Sequence, residues 1–208
     1  MRVKVCGITS YEDAAMALDQ GVDVLGFNFF AKSSRYIDPL AARSIIQRLP
    51  PFVTAVGLFV NQPEAGDVAE AAQEAGVRVL QLHGDESPEY CRRLSSWTVI
   101  KVLRLDGRGV TEDLGEYSVQ AFLLDSRDDD RFGGTGLRFD WSLVEPVRAF
   151  GPIILAGGLK PENVAEAIRS VRPYGVDVCS GVESVPGRKD KGKLAAFMKE
   201  VRNACKDL

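Results

Sequence analysis

Along the chain, short runs of β-branched and apolar residues alternate with longer stretches in which apolar residues recur every three or four positions. The runs are Val3–Cys6, Val22–Phe29, Val53–Val60, Val77–His83, Trp97–Arg104, Val119–Asp125, Pro152–Gly158 and Tyr174–Gly181, and each predicts a strand. Between them, YEDAAMALDQG, PLAARSIIQRL, AGDVAEAAQEAG, SPEYCRRL, DWSLVEPVRAF, PENVAEAIRSV and KGKLAAFMKEVRNAC carry the apolar stripe of a helix packed on one face. Gly21 and Gly76 follow helical runs, and Pro39, Pro63, Pro88 and Pro161 stand near helix starts. The fifth unit is the weakest, since VTEDLGEY makes at most a short helix.

Strands alternating with helices predict a parallel sheet, either an open doubly wound sheet or a closed barrel. Eight units favour the barrel, and so does the absence of a GxGxxG after the first strand. No Pro/Gly/Ser-rich linker or low-complexity segment divides the chain. The expectation is α/β: a single (β/α)8 TIM barrel over residues 1–208.

Composition narrows the possible partners. A net charge of −3 and a pI near 5.4 argue against a nucleic-acid or anionic-membrane surface. No apolar stretch approaches the roughly 18–20 residues of a membrane helix, and no secretory leader is visible. Cys6, Cys91, Cys179 and Cys205 show no CxxC spacing and no Cys/His cluster, so a structural zinc site is not expected. Four reduced thiols in a cytoplasmic protein are expected instead. No exposed apolar stripe demands a dimer, so a monomer is expected.

A barrel of this kind builds its site where the strands end and the βα loops converge. Glycine-rich loops follow the sixth, seventh and eighth runs: Gly134, Thr135 and Gly136; Gly157 and Gly158; Ser180 and Gly181. Backbone N–H groups after the last strands commonly hold a phosphate there, and glycine allows close approach. Cys6 ends the first run, and Lys4 shares its side, because side chains alternate along a strand. If that side is the interior, an ammonium lies one layer below the thiol and favours the thiolate, a nucleophile or general base. Asp125 ends the apolar run Ala-Phe-Leu-Leu, where partial burial would let it keep a proton. Arg35 in the second loop can grip a carboxylate. His83 is either a donor to substrate or a structural histidine, Gln81 belongs to an interior polar layer, and Asp177 lies within the eighth run. Asp106 falls in the fifth loop, and Asp128, Asp129 and Asp130 read as a solvated charge run. No metal cluster and no redox-cofactor motif appears. Together these residues suit proton transfer on a small phosphorylated substrate, such as a sugar-phosphate isomerisation, with no cofactor.

Blocks from seven units, in order, resemble the phosphoribosylanthranilate isomerase family of tryptophan biosynthesis. They are KVCGIT, GFNFFAKSSRYI, VGLFVN, LQLHGDE, LLDS with FGGTGLRFDW, LAGGLKPENV, and GVDVCSGVESVPGRKD. The resemblance covers nearly the whole chain. It implies a (β/α)8 barrel that performs an Amadori rearrangement of N-(5-phosphoribosyl)anthranilate to 1-(2-carboxyphenylamino)-1-deoxyribulose 5-phosphate. It implies Cys6 as general base, Asp125 as general acid and Arg35 on the anthranilate carboxylate, with the glycine-rich loops around the phosphate; His83 and Asp177 stand as further candidates for substrate binding. Two positions depart from the family pattern: Val5 stands where isoleucine is more usual, and Cys179 where serine is, beside the phosphate loops. Two rivals remain. One is another phosphate-binding barrel isomerase, such as the histidine-pathway enzyme, which carries an aspartate where this chain has Cys6. The other is a barrel that binds a phosphorylated ligand without turnover, which would tolerate loss of the acid–base pair.

Overall fold

The computed structural model describes residues 1–104, 113–125 and 144–206. Every one of the eight runs forms a strand: β1 (Arg2–Val5), β2 (Val24–Asn28), β3 (Thr54–Phe59), β4 (Val79–Leu82), β5 (Thr98–Arg104), β6 (Ala121–Asp125), β7 (Ile153–Ala156) and β8 (Gly175–Val178). All pairings are parallel, and β8 returns to β1, closing the barrel. The helices are α1 (Tyr11–Asp19), α2 (Pro39–Ile46), α3 (Ala65–Ala75), α4 (Pro88–Arg93), α5 (Glu145–Arg148), α6 (Val164–Val171) and α7 (Lys191–Lys206). The weak fifth unit carries only a 3-10 turn at Leu114–Glu116.

Local chemistry explains the boundaries. Ser10, Asp38 and Ser87 cap α1, α2 and α4 by accepting hydrogen bonds from first-turn N–H groups, and Pro39 and Pro88 occupy the first helical positions. Gly76 ends α3 in the left-handed conformation, at φ 79°.

Alternation along the strands sorts the core into two shells. Val3, Val5, Leu25, Phe27, Leu80, Leu82, Phe122 and Leu124 face outward into the layer beneath the helices. Ile100, Val102, Ala121, Leu123, Ile154 and Ala156 fill the barrel interior with Val79 against them. The N-terminal end of the barrel holds a cavity of about 300 Å³ lined by Val56, Val79, Ile100 and Ile154. Phe52, 98% exposed, and Tyr174 stand at its rim. Among the described residues no helix is long and apolar enough to cross a membrane.

Two differences from the sequence reading affect the site. β1 ends at Val5, so Cys6 is the first residue beyond it. The GVESVPGRKD segment is not a plain loop: after a 3-10 turn at Ser180–Val182 it folds into a two-stranded hairpin, β9 (Glu183–Val185) and β10 (Arg188–Lys189). Gly187 at φ 82° makes its turn possible.

Candidate active site

β1 and β8 lie in register, Lys4 opposite Asp177 and Val5 opposite Val178. The pairing runs one residue further, where the Cys6 N–H donates to the Val178 carbonyl at 2.9 Å. Alternation therefore turns Lys4 and Cys6 on one strand, and Asp177 and Cys179 on the other, into the interior as two layers. In the lower layer the Lys4 ammonium donates to both oxygens of Asp177 at 3.0 Å. In the upper layer lie the two thiols. Gly26 on β2 leaves room for Cys6 and Lys4, since a Cβ there would stand 2.9 Å from Cys6 Sγ and 3.0 Å from Lys4 Nζ.

The hairpin brings a second cation under the same cysteine. Lys189 Nζ donates to the Cys6 carbonyl at 2.6 Å and to Glu183 Oε1 at 2.9 Å. Glu183 also accepts from Arg35, through Nε at 2.9 Å and Nη2 at 2.6 Å. Burial opposes the ionisation of Glu183, but the hydrogen bonds from Arg35 and Lys189 outweigh it and bring its pKa down to about 2. Arg35 is thus already held by a carboxylate of this chain, with one edge of its guanidinium against Glu183.

These neighbours set the state of Cys6. A hydrogen bond from the Cys179 thiol holds the Cys6 thiol well below its usual value, helped by the ammonium groups of Lys4 and Lys189, while burial opposes them. Cys179, as the donor of that bond, is pushed up. Lys4 is held charged by Asp177 and by the Cys6 thiolate although burial works against it. Burial pushes Asp177 up to about 7, Lys4 pulls it down, and the thiolate above adds repulsion.

The opposite wall comes from β4 and β6. Gln81 and the residue just past β4, His83, face inward together. His83 Nε2 lies 3.2 Å from Asp125 Oδ2, and Gln81 Nε2 lies 3.1 Å from His83 Nδ1. With the Gln81 amide donating to Nδ1, the imidazole carries its hydrogen on Nε2 and presents it to Asp125. Lys101 and Glu86 form a buried ion pair at 3.0 Å that also binds Gly84, so the turn behind His83 is fixed from below.

At the third corner Gly157 and Gly158 adopt φ 81° and 61°, which only glycine takes without strain. The 3-10 turn begins beside them at Ser180. Gly181 does not line the opening: its Cα packs against the Leu159 carbonyl, and a side chain there would collide with that backbone. Gly134, Thr135 and Gly136 lie outside the described residues, as do Asp106, Asp128, Asp129 and Asp130.

Cys6, Arg35, His83, Asp125, Asp177, Gly157, Gly158 and Ser180 line one cavity of about 590 Å³ at the C-terminal end of the barrel. That volume suits a small metabolite. Asp177 reaches it, but both its oxygens are engaged by Lys4. Among the described residues no group of His, Cys, Asp and Glu side chains is arranged to hold a metal. Sequence reasoning assigned no role to Glu183 or Lys189. The available signal was the Pro186–Gly187 turn between two charged residues, which marks a hairpin that could carry both inward.

The family model described as N-(5'-phosphoribosyl)anthranilate (PRA) isomerase matches residues 3–200. The N-(5'-phosphoribosyl)anthranilate isomerase of Geobacter metallireducens is 48% identical over 202 residues, spanning 97% of this chain and 99% of that one. The crystal structure of the phosphoribosyl anthranilate isomerase from Thermus thermophilus superposes with a TM-score of 0.86 at 40% identity, covering 98% of this chain and 99% of that one. A solved phosphoribosyl anthranilate isomerase in complex with reduced 1-(o-carboxyphenylamino)-1-deoxyribulose 5-phosphate superposes with a TM-score of 0.83 at 40% identity and the same coverage.

Proposed function

The chain belongs to the N-(5'-phosphoribosyl)anthranilate isomerase family, and from that premise we propose that Cys6 and Asp125 carry out the family's rearrangement across the mouth of the barrel. The chain is an isomerase of tryptophan biosynthesis that converts N-(5'-phosphoribosyl)anthranilate to 1-(o-carboxyphenylamino)-1-deoxyribulose 5-phosphate. The observation that carries the residue assignment is the position of the two groups: a thiol with a lowered pKa on one wall and a carboxyl group on the other, both facing one cavity.

Asp125, oriented by His83, protonates the furanose ring oxygen and opens the ring to an iminium. The iminium nitrogen belongs to the substrate, so it takes up the electron pair without a cofactor. The Cys6 thiolate removes the proton from the sugar C2, and the enolamine tautomerises to the ketone. The hydrogen bond from Cys179 and the ammonium groups of Lys4 and Lys189 keep Cys6 ionised beforehand, so no proton has to be moved to activate it. Arg35 holds the anthranilate carboxylate with the edge that Glu183 does not use. Gly157, Gly158 and Ser180 offer backbone N–H groups to the phosphate, together with Gly134, Thr135 and Gly136. Asp177 serves through Lys4, and Gly181 through the shape of the 3-10 turn.

A monomer belongs to the same reading; sedimentation velocity tests it. The four free thiols support a reducing compartment, the cytoplasm.

The decisive experiment follows the fluorescence of freshly prepared phosphoribosylanthranilate with the wild-type chain and with Asp125→Asn. Rapid conversion by the wild type, lost in the variant while ligand still binds, supports the assignment. Near-normal conversion by the variant overturns Asp125 as the acid.

A further inference from the structure

The rearrangement asks the Cys179 thiol only to donate to Cys6, yet its place beside the base gives it a second possible chemistry. Register places it there: Val5 pairs with Val178, and the backbone bond from Cys6 to Val178 continues the ladder past both strand ends. Adjacent strands run roughly 4.8 Å apart. Disulfide-linked residues usually have Cα separations of roughly 4.4–6.8 Å. Both side chains point to the interior, and both line the 590 Å³ cavity, so a small oxidant that enters the mouth meets them together. Charges of both signs surround the pair: Lys189 Nζ is 3.9 Å and Glu183 Oε1 3.8 Å from Cys179 Sγ, and Lys4, paired with Asp177, lies one layer below Cys6. Gly7 and Gly26 leave room for the two sulfurs, since a Cβ at Gly7 would fall 3.2 Å from Cys179 Sγ and one at Gly26 2.9 Å from Cys6 Sγ. Cys91 is buried in the helix layer, and Cys205 lies on the last helix, so neither competes for this position.

We propose that Cys6 and Cys179 form a redox pair, a modification site at which hydrogen peroxide closes a reversible intramolecular disulfide across the β1/β8 seam and silences the barrel. The Cys6 thiolate attacks one peroxide oxygen, the O–O bond breaks, and hydroxide leaves, giving a sulfenic acid at Cys6. The Cys179 sulfur then attacks the Cys6 sulfur. The S–O bond breaks, and the hydroxyl leaves as water with the thiol proton. Peroxide is reduced by two electrons and the two thiols are oxidised by two. A dithiol reductant reverses the step through a mixed disulfide. A lowered thiolate pKa at Cys6 favours the first attack, and the neighbouring thiol traps the sulfenic acid before a second peroxide carries it to the irreversible sulfinic acid. The bridge rests on the geometry of the pair; its effect on turnover rests on the reading of Cys6 as base.

The test treats the fully reduced, full-length chain with hydrogen peroxide, then measures activity, intact mass and a non-reducing peptide map before and after dithiothreitol. The expected result is a fall in activity of about 100-fold, the scale of losing a general base. It is accompanied by a mass loss of two hydrogens, a peptide joining Cys6 to Cys179, and full recovery with dithiothreitol. In Cys179→Ser, each sample compared with its own untreated activity, peroxide should add oxygen to Cys6, and dithiothreitol should restore progressively less as exposure lengthens. Cys205→Ser should behave as the wild type. Inactivation of the wild type with oxygen added at Cys6 and no joined peptide overturns the proposal, whether or not the Cys179 variant folds. A joined peptide with activity retained overturns Cys6 as base and leaves the redox pair standing.

Discussion

The two walls of the mouth are built from different materials. On the β1/β8 wall, Cys6 sits among Lys4, Asp177, Lys189, Glu183 and Arg35, a set of buried charges that answer one another. On the β4/β6 wall, the described partner of Asp125 is an imidazole backed by an amide. The contrast matches the two tasks. A buried thiol left alone keeps its proton, so a thiolate base needs cations and a donor beside it. A carboxyl group that must give up a proton needs a partner that fixes its direction. Two groups in one cavity can therefore receive opposite roles from the strands that flank them.

The sharpest way to break this contrast is to remove the base. Cys6→Ser should lower kcat by two to four orders of magnitude, about what loss of general-base catalysis costs, while calorimetric binding of the reduced product analogue persists. Turnover near the wild-type value would take Cys6 out of the role.

The next effect comes from stripping the charge beneath the thiol. Lys4→Met leaves Asp177 buried without its partner, and one-sided loss of such a pair costs about 3–5 kcal/mol, read by urea unfolding. The same variant tests the electrostatics. Activity that depends on a thiolate fails as pH falls through its pKa, so a lowered pKa keeps the wild-type enzyme active well below the usual thiol range. Lys4→Met should move the acid limb of kcat/KM upward, and an unmoved limb would mean that Lys4 does not set the state of Cys6.

Arg35→Ala should act more gently. If the guanidinium binds ground state and transition state alike, KM rises about ten-fold, or about 1.4 kcal/mol, with kcat little changed. A normal KM would leave Arg35 only as the partner of Glu183.

The smallest effect is expected on the acid wall. Gln81 is fully buried, and its Oε1 has no hydrogen-bond partner among the described residues. Gln81→Leu thus removes one bond to His83 and one unsatisfied atom together, so stability should stay within about 1 kcal/mol. kcat should fall only a few-fold, as His83 loses its backing; a fall as large as that of Asp125→Asn would make the imidazole more than a guide.

The sequence alone determined the architecture and much of the cavity. Period-two alternation, capping residues and turn glycines are local, so eight strands, their helices and the shared facing of Lys4 and Cys6 could be read directly. The glycines at 157 and 158 were legible for the same reason, because a positive φ is a property of one residue. Only the tertiary structure decided what surrounds the thiol. Lys4 and Asp177 are 173 positions apart, Arg35 and Glu183 are 148 apart, and Lys189 reaches Cys6 across 183. Those pairs exist because closing the barrel sets the first strand beside the last, and no local period encodes which distant charges that closure brings together.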